Sequence, residues 1–239
     1  MRSEIQEIVG LSTLVVEPRV EATMDVILLH GYAMRPHDLE PFAHSLGIPA
    51  RFLLPTAPLS APMGGHSWWD IDEPQRLSDL SRGPRDLANF HPPQHWSARQ
   101  RFLDFCRASR AKTQSRVLAI CGFSQGGMVA CDAVLCGQLQ VDGLAMLSSS
   151  RVAVDEWRQY QRQLVDLPVL VSHGRNDMDL SFAAGEALRD FHLAGRAEVT
   201  WVPFDGGHEI PLLVWRRLRQ FLKALVKRHD REGGMSVNR

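Results

Sequence analysis

Apolar residues in this chain gather in short, unbroken runs instead of alternating with polar ones. VILLH (Val26 to His30), RFLLP (Arg51 to Pro55), VLAIC (Val117 to Cys121), LAMLS (Leu144 to Ser148), PVLVSH (Pro168 to His173) and VTWVPF (Val199 to Phe204) read as strands. Runs this short, rich in β-branched and aliphatic residues and closed by turn formers, suit strands buried on both faces. Helical patterns separate most of them, so the order is β then α, repeatedly. That order predicts an α/β fold with a mostly parallel central sheet and helices on both faces.

The helices carry recognisable punctuation. Asp38 is expected to cap a helix presenting Leu39, Phe42, Ala43 and Leu46, with Pro41 in its first turn and Gly47 at its end. Leu212, Trp215, Leu218, Phe221, Leu222 and Leu225 recur at helical spacing, while Arg216, Arg217, Arg219 and Lys223 face away. Beyond Val226 the stretch 227–239 has little to bury and reads as a mobile tail. Residues 60–98 break the rhythm: five prolines, Gly64, Gly65 and Gly83 are mixed with Trp68, Trp69 and Trp96. A segment this long without periodicity reads as a functional loop covering a pocket, or as a loop packed on the domain.

Composition narrows the choice. Hydrophobic residues are 44% and charged residues 23%, which excludes a disordered or fibrous chain and leaves one globular domain over 1–239 as the expectation. Lys plus Arg equals Asp plus Glu, 27 against 27, so no net field favours nucleic acid or an anionic membrane. The start, MRSEIQEIVG, lacks the basic flank and apolar stretch of a signal peptide, and no run approaches a membrane span, so a cytoplasmic location is expected. Cys106, Cys121, Cys131 and Cys136 show no metal spacing and read as reduced thiols of the interior.

One stretch asks for chemistry. GFSQGG, residues 122–127, follows the VLAIC strand directly and opens onto the helical run MVACDAVLC. G-x-S-x-G between strand and helix is the nucleophile elbow, which lifts a serine hydroxyl above the sheet's carboxyl edge and needs small neighbours because the backbone doubles back closely. A serine hydroxyl is a poor nucleophile until a base takes its proton, and that base needs a partner to fix its tautomer. Both should follow later strands, in the order serine, acid, histidine. PVLVSHGRND places Asp177 beyond one strand and VTWVPFDGGHEI places His208 beyond the next, flanked by Gly206 and Gly207. Asp179 is the competing acid, set aside because it is expected to start the next helix. His173, Asp205, Glu209 and His66 read as packing, loop or cap residues. An oxyanion needs donors as well: the backbone amide of Gln125, next after the serine, and that of Tyr32, after the His30-Gly31 turn. The His30 side chain itself reads as a hydrogen-bonded scaffold residue.

LLHGYAM, LPTAPLSAPMGGHSWWDI, GFSQGGMVA, HGRND and GGHEI together resemble the phospholipase/carboxylesterase group of α/β-hydrolases, over about Val26 to Leu225. The resemblance implies Ser124 as nucleophile, Asp177 as acid, His208 as base, and the Tyr32 and Gln125 amides as oxyanion hole. It further implies carboxylic ester or acyl thioester substrates, no metal and no organic cofactor. Expected substrate contacts are Trp68, Trp69 and Met34, and the expected assembly is a monomer or homodimer. Acyl transfer on the same triad and a non-catalytic binding protein on the same scaffold are the alternatives. The chain departs from the pattern at Ala33, where the family often has glycine, and at LSSSR (147–151), which replaces a Leu-Ser-Gly-like strand end.

Overall fold

The computed structural model describes residues 1–111 and 117–236, with the side chains of 232–236 left aside. Its centre is an eight-stranded sheet built from β1 (Arg2–Ile8), β2 (Leu11–Glu17), β3 (Met24–Leu29), β4 (Ala50–Pro55), β7 (Val117–Phe123), β8 (Gly143–Leu147), β9 (Pro168–Gly174) and β10 (Glu198–Phe204). The spatial order is β1-β2-β4-β3-β7-β8-β9-β10, parallel from β4 to β10. β2 is antiparallel to β1 and β4. β5 (Leu59–Ser60) and β6 (His66–Ser67) form a separate small hairpin.

All six expected strands are present, and β1 and β2 are an addition. In β1 a half-exposed edge strand alternates along RSEIQEI, so little of it is buried and no unbroken apolar run marks it. Helices α1 (Pro36–Ser45) and α7 (Leu212–Ser236) cover one face; α3 (His95–Arg110), α4 (Gln125–Leu135), α5 (Val154–Gln159) and α6 (Phe182–Ala194) cover the other. The strands divide their side chains accordingly: Ile27, Leu29, Leu118 and Ile120 join the α3/α4 core, while Val26, Leu28, Ala119 and Cys121 join the α1/α7 core. This two-sided burial explains the unbroken runs in the sequence.

Two local expectations need correction. Helix α1 starts earlier than expected, with Pro36 at its first position and Arg35 before it. Asp38 lies at the third helical position, where its carboxylate accepts the Arg35 backbone N–H at 2.8 Å. Pro41 therefore falls in the second turn and removes one rung of the ladder. The stretch after Val226 is also not a free tail: α7 continues to Ser236, and Arg228 pairs with Glu198 at 2.7 Å. Residues 237–239 of that stretch lie outside the described residues. Residues 60–98, without periodicity in sequence, carry the β5/β6 hairpin and α2 (Glu73–Leu80), whose cap is the Asp72 carboxylate accepting the Gln75 N–H at 2.9 Å. Among the described residues no helix is long and apolar enough to cross a membrane.

Candidate active site

Because β3, β7, β8, β9 and β10 run parallel, the loops that follow them emerge on one edge of the sheet. Ser124 is the residue between β7 and α4, with φ 52° and ψ −118°. A side chain in that conformation costs roughly 1–3 kcal/mol and persists only where its surroundings dictate it. They do so here. A Cβ on Gly122 would lie 2.3 Å from the Gly126 carbonyl, and one on Gly126 would lie 2.4 Å from the Leu29 oxygen. The Ser124 N–H donates to the Leu147 carbonyl at 2.9 Å, and the Ser149 hydroxyl donates to the Ser124 carbonyl at 2.9 Å.

Asp177 and His208 meet between the β9 and β10 loops. The Asp177 carboxylate is 3% exposed, and its Oδ1 accepts the Asp179 and Leu180 backbone N–H groups, both at 2.9 Å. Its Oδ2 lies 2.7 Å from His208 Nδ1. An ionised carboxylate accepts only, so the proton on Nδ1 belongs to the imidazole, which leaves Nε2 with a free lone pair. His208 packs on Phe123 and, with Ser124, lines a cavity of ≈ 710 Å³. No hydrogen bond joins Ser124 to His208; contacts of this kind are often loose in ligand-free geometry and tighten with substrate.

Asp179, the competing acid, turns elsewhere. Its carboxylate lies 2.5 Å from Arg76 and also pairs with Arg85. Burial would raise its carboxyl, but these two guanidinium groups outweigh that and hold it below the usual range. It does not start a helix: α6 begins at Phe182, capped by the Ser181 hydroxyl accepting the Ala184 N–H. His173 is wholly buried and its Nε2–H donates to the Leu180 carbonyl at 2.9 Å, while Asp205 pairs with exposed Arg175.

Tyr32 and Gln125 line the same cavity, and among the described residues the backbone N–H of neither donates a hydrogen bond within the protein. Ala33 has φ 57°, the left-handed conformation a glycine would take without strain, so the departure in sequence leaves a glycine-like turn. His30 is fully buried; its Nδ1–H donates to the Gly31 carbonyl at 2.8 Å and its Nε2 accepts the Ala57 N–H at 3.0 Å. Burial lowers its pKa to about 4, which keeps the ring neutral.

Of the expected substrate contacts, Met34 and Trp69 line the cavity. Trp68 does not. It is 1% exposed, packs edge-on against Phe102, and its indole N–H donates to the His30 carbonyl at 3.1 Å. Trp96 is largely exposed and away from the cavity. The remaining lining combines apolar Met128, Leu87, Phe90 and Leu180 with charged Glu73, Arg76 and Asp79. The Tyr32 hydroxyl is raised to about 12 by burial and by the nearby carboxylate of Glu73, the first residue of α2.

The sequence marked LSSSR as a departure without giving its serines a role, and all three are buried after β8. Ser148 donates to the Glu209 carbonyl, Ser149 to the Ser124 carbonyl, and Ser150 accepts the Leu87 N–H, so each holds a different wall of the site. A run of small hydroxyl residues at a strand end on this edge was the available signal. As a metal position, Asp132, Cys136 and Glu156 are the one ligand cluster among the described residues. Arg99 lies against it, with its guanidinium 3.1 Å from Asp132 and 3.5 Å from Glu156, so one positive charge already pairs with both carboxylates.

The family model for Phospholipase/Carboxylesterase matches residues 12–226, nearly the whole of this framework. The chain belongs to the phospholipase/carboxylesterase family. Family membership agrees with solved structures that share its α/β-hydrolase fold. Acyl-protein thioesterase 2 of Zea mays is 18% identical, with 90% of this chain and 98% of that chain covered and a TM-score of 0.70. Esterase PE8 is 21% identical, with 90% and 99% covered and a TM-score of 0.74. A carboxylesterase from Mesorhizobium loti is 17% identical, with 92% and 98% covered and a TM-score of 0.73. At these identities the likeness to solved structures speaks for the fold, and the phospholipase/carboxylesterase assignment rests on the family model.

Proposed function

We propose that this family member is a serine hydrolase that cleaves carboxylic esters or acyl thioesters through an acyl-enzyme. The observation that carries the reading is the 2.7 Å contact between Asp177 Oδ2 and His208 Nδ1, on a histidine that opens onto the same cavity as strained Ser124. Asp177 fixes the Nδ1–H tautomer and stabilises the imidazolium that forms, while the free Nε2 takes the proton of the Ser124 hydroxyl. The serine oxygen attacks the acyl carbon, and the Tyr32 and Gln125 amides receive the developing oxyanion. His208 returns the proton to the departing alcohol or thiol. Water then attacks the acyl-serine by the same route in reverse and releases the acid.

The apolar lining formed by Met34, Trp69, Met128 and Leu87 supports an acyl group of hydrocarbon character. Residues 60–98 cover that pocket, and residues 1–239 act as one catalytic unit. The test is labelling with a fluorophosphonate probe, site mapping, and turnover of a soluble ester. Labelling confined to Ser124, with Ser124→Ala folded and turnover lowered by at least about 10³-fold, is the expected result. Absent labelling of a folded sample overturns the reading in favour of a binding protein.

A further inference from the structure

The two amides assigned to the oxyanion sit on separate loops, one after β3 and one at the start of α4. What fixes their separation is visible in the hydrogen bonds of a third segment. The side chain of Gln125 is buried, and both ends of its amide are used: Oε1 accepts the Trp68 backbone N–H at 2.9 Å, and Nε2 donates to the Trp69 carbonyl at 3.1 Å. The same short segment bonds in the opposite direction to the loop after β3. The Ala33 N–H donates to the His66 carbonyl at 2.9 Å, and the His66 N–H donates to the Met34 carbonyl at 2.9 Å. A third tie runs from the Trp68 indole to the His30 carbonyl at 3.1 Å.

We infer that the Gln125 side chain is a positioning residue: with the segment His66 to Trp69 and the Trp68 indole, it sets the distance between the Tyr32 and Gln125 amides. The inference rests on the hydrolase reading above, and it gives Gln125 a second role beyond its backbone N–H. A primary amide can pair with a backbone N–H and a backbone C=O at once, as one more strand residue would. Tyr32 is held on both sides, by Gly31 through the His30 ring and by Ala33 and Met34 through His66. Gly65 shows how close this seam is: a Cβ there would lie 2.1 Å from the Ala33 carbonyl oxygen. Oxyanion donors act only when aimed at the developing charge, so sub-ångström drift in either amide is felt in the transition state more than in substrate binding.

The experiment compares wild type with Gln125→Met, which keeps length and loses both bonds, and Gln125→Glu, which keeps the acceptor for Trp68 and loses the donor to Trp69. Steady-state kinetics on p-nitrophenyl butyrate, melting temperature and inhibition by an alkylboronic acid are measured together. The expected result is a fall in kcat of about 10- to 100-fold with KM within about twofold, and boronate affinity falling in parallel with kcat/KM. Gln125→Glu should retain part of the lost rate. A variant that melts lower yet keeps wild-type kcat and boronate affinity overturns the inference, since the side chain would then serve stability alone. Should Gln125→Met fail to fold, Trp68→Phe removes the indole N–H and keeps an aromatic ring, though a smaller one; unchanged kcat in that variant overturns it equally. Ser124→Ala, run alongside, separates the two claims: activity surviving there defeats the hydrolase reading itself, whatever the Gln125 variants do.

Discussion

At the sheet's carboxyl edge Ser124 and Asp177 follow strands β7 and β9, which are buried along almost their whole length, whereas across the cavity helix α2 buries no residue at all. The first region is specified by backbone crowding: Gly122, Gly126 and the β3 carbonyls leave one path for the elbow. The second is specified by polar clasps. Arg76 and Arg85 hold Asp179, the Arg85 N–H donates to the Asp179 carbonyl, and Arg76 also pairs with Glu73. Both regions converge on the same acid loop, two residues apart. Asp177 faces the histidine and Asp179 faces the cap. The difference teaches that the residues proposed to react are placed by the tightly packed sheet edge, and the pocket wall by contacts that are individually exchangeable.

The sharpest way to break that comparison is Asp177→Asn. The amide keeps the shape but presents a donor or a neutral acceptor to His208, so the imidazole loses the tautomer that leaves Nε2 free. Turnover should fall about 10³- to 10⁴-fold, with little change in KM. Loss of less than about tenfold would remove Asp177 from the mechanism and with it the claim that the buried edge places the chemistry.

How much of this was legible follows the same division. Five of the six expected strands announce themselves as unbroken apolar runs because helices cover both faces, and the loops after them carry glycines where backbone crowds backbone; β10, at the sheet edge, is only partly buried and was marked by VTWVPF all the same. β1 hides because an edge strand half in water needs no such run. In the cap, α2 lacks any apolar stripe, so periodicity had nothing to find, although Asp72 and Pro74 marked its start. Asp38 misled because an aspartate at the third helical position receives a backbone N–H much as a cap does. Trp68 misled for another reason: a tryptophan beside a pocket and a tryptophan beneath it read alike in sequence, and the hydrogen bond from its indole to His30 is a fact of tertiary structure.

A second way to sharpen the comparison uses acid. His30 after β3 and His192 on the buried face of α6 are fully buried, and burial lowers each to about 4 from an ordinary 6.5. The unfolded chain therefore binds protons there before the native one does. Stability from each ring is whole above about pH 6.5 and is lost as pH falls toward 4, on the order of 3 kcal/mol per site. Asp179 shifts in the same direction but from a lower starting point: its lowered carboxyl keeps the clasp charged throughout that window and gives way only at still lower pH. Melting temperature should therefore drop between pH 7 and pH 5 from the buried layer alone. A flat melting temperature across that range would show that neither histidine is held neutral by the fold.

The smallest effect separates the two aspartates. Asp179→Asn leaves the Asp179 backbone N–H on Asp177 in place and removes only the charge that Arg76 and Arg85 share, both of which are partly exposed. The clasp should weaken by about 1–2 kcal/mol, read as faster proteolytic nicking within residues 73–85 and a melting temperature lower by a few degrees. Turnover of a small soluble ester should stay within about fivefold of wild type, because nothing that aims His208 has changed. A collapse as deep as that of Asp177→Asn would mean that cap and catalytic edge are one mechanical unit, with Asp179 transmitting the geometry of the cap to the histidine. Retained activity with a loosened cap would instead establish that α2 acts on which esters enter and not on how fast they are cut.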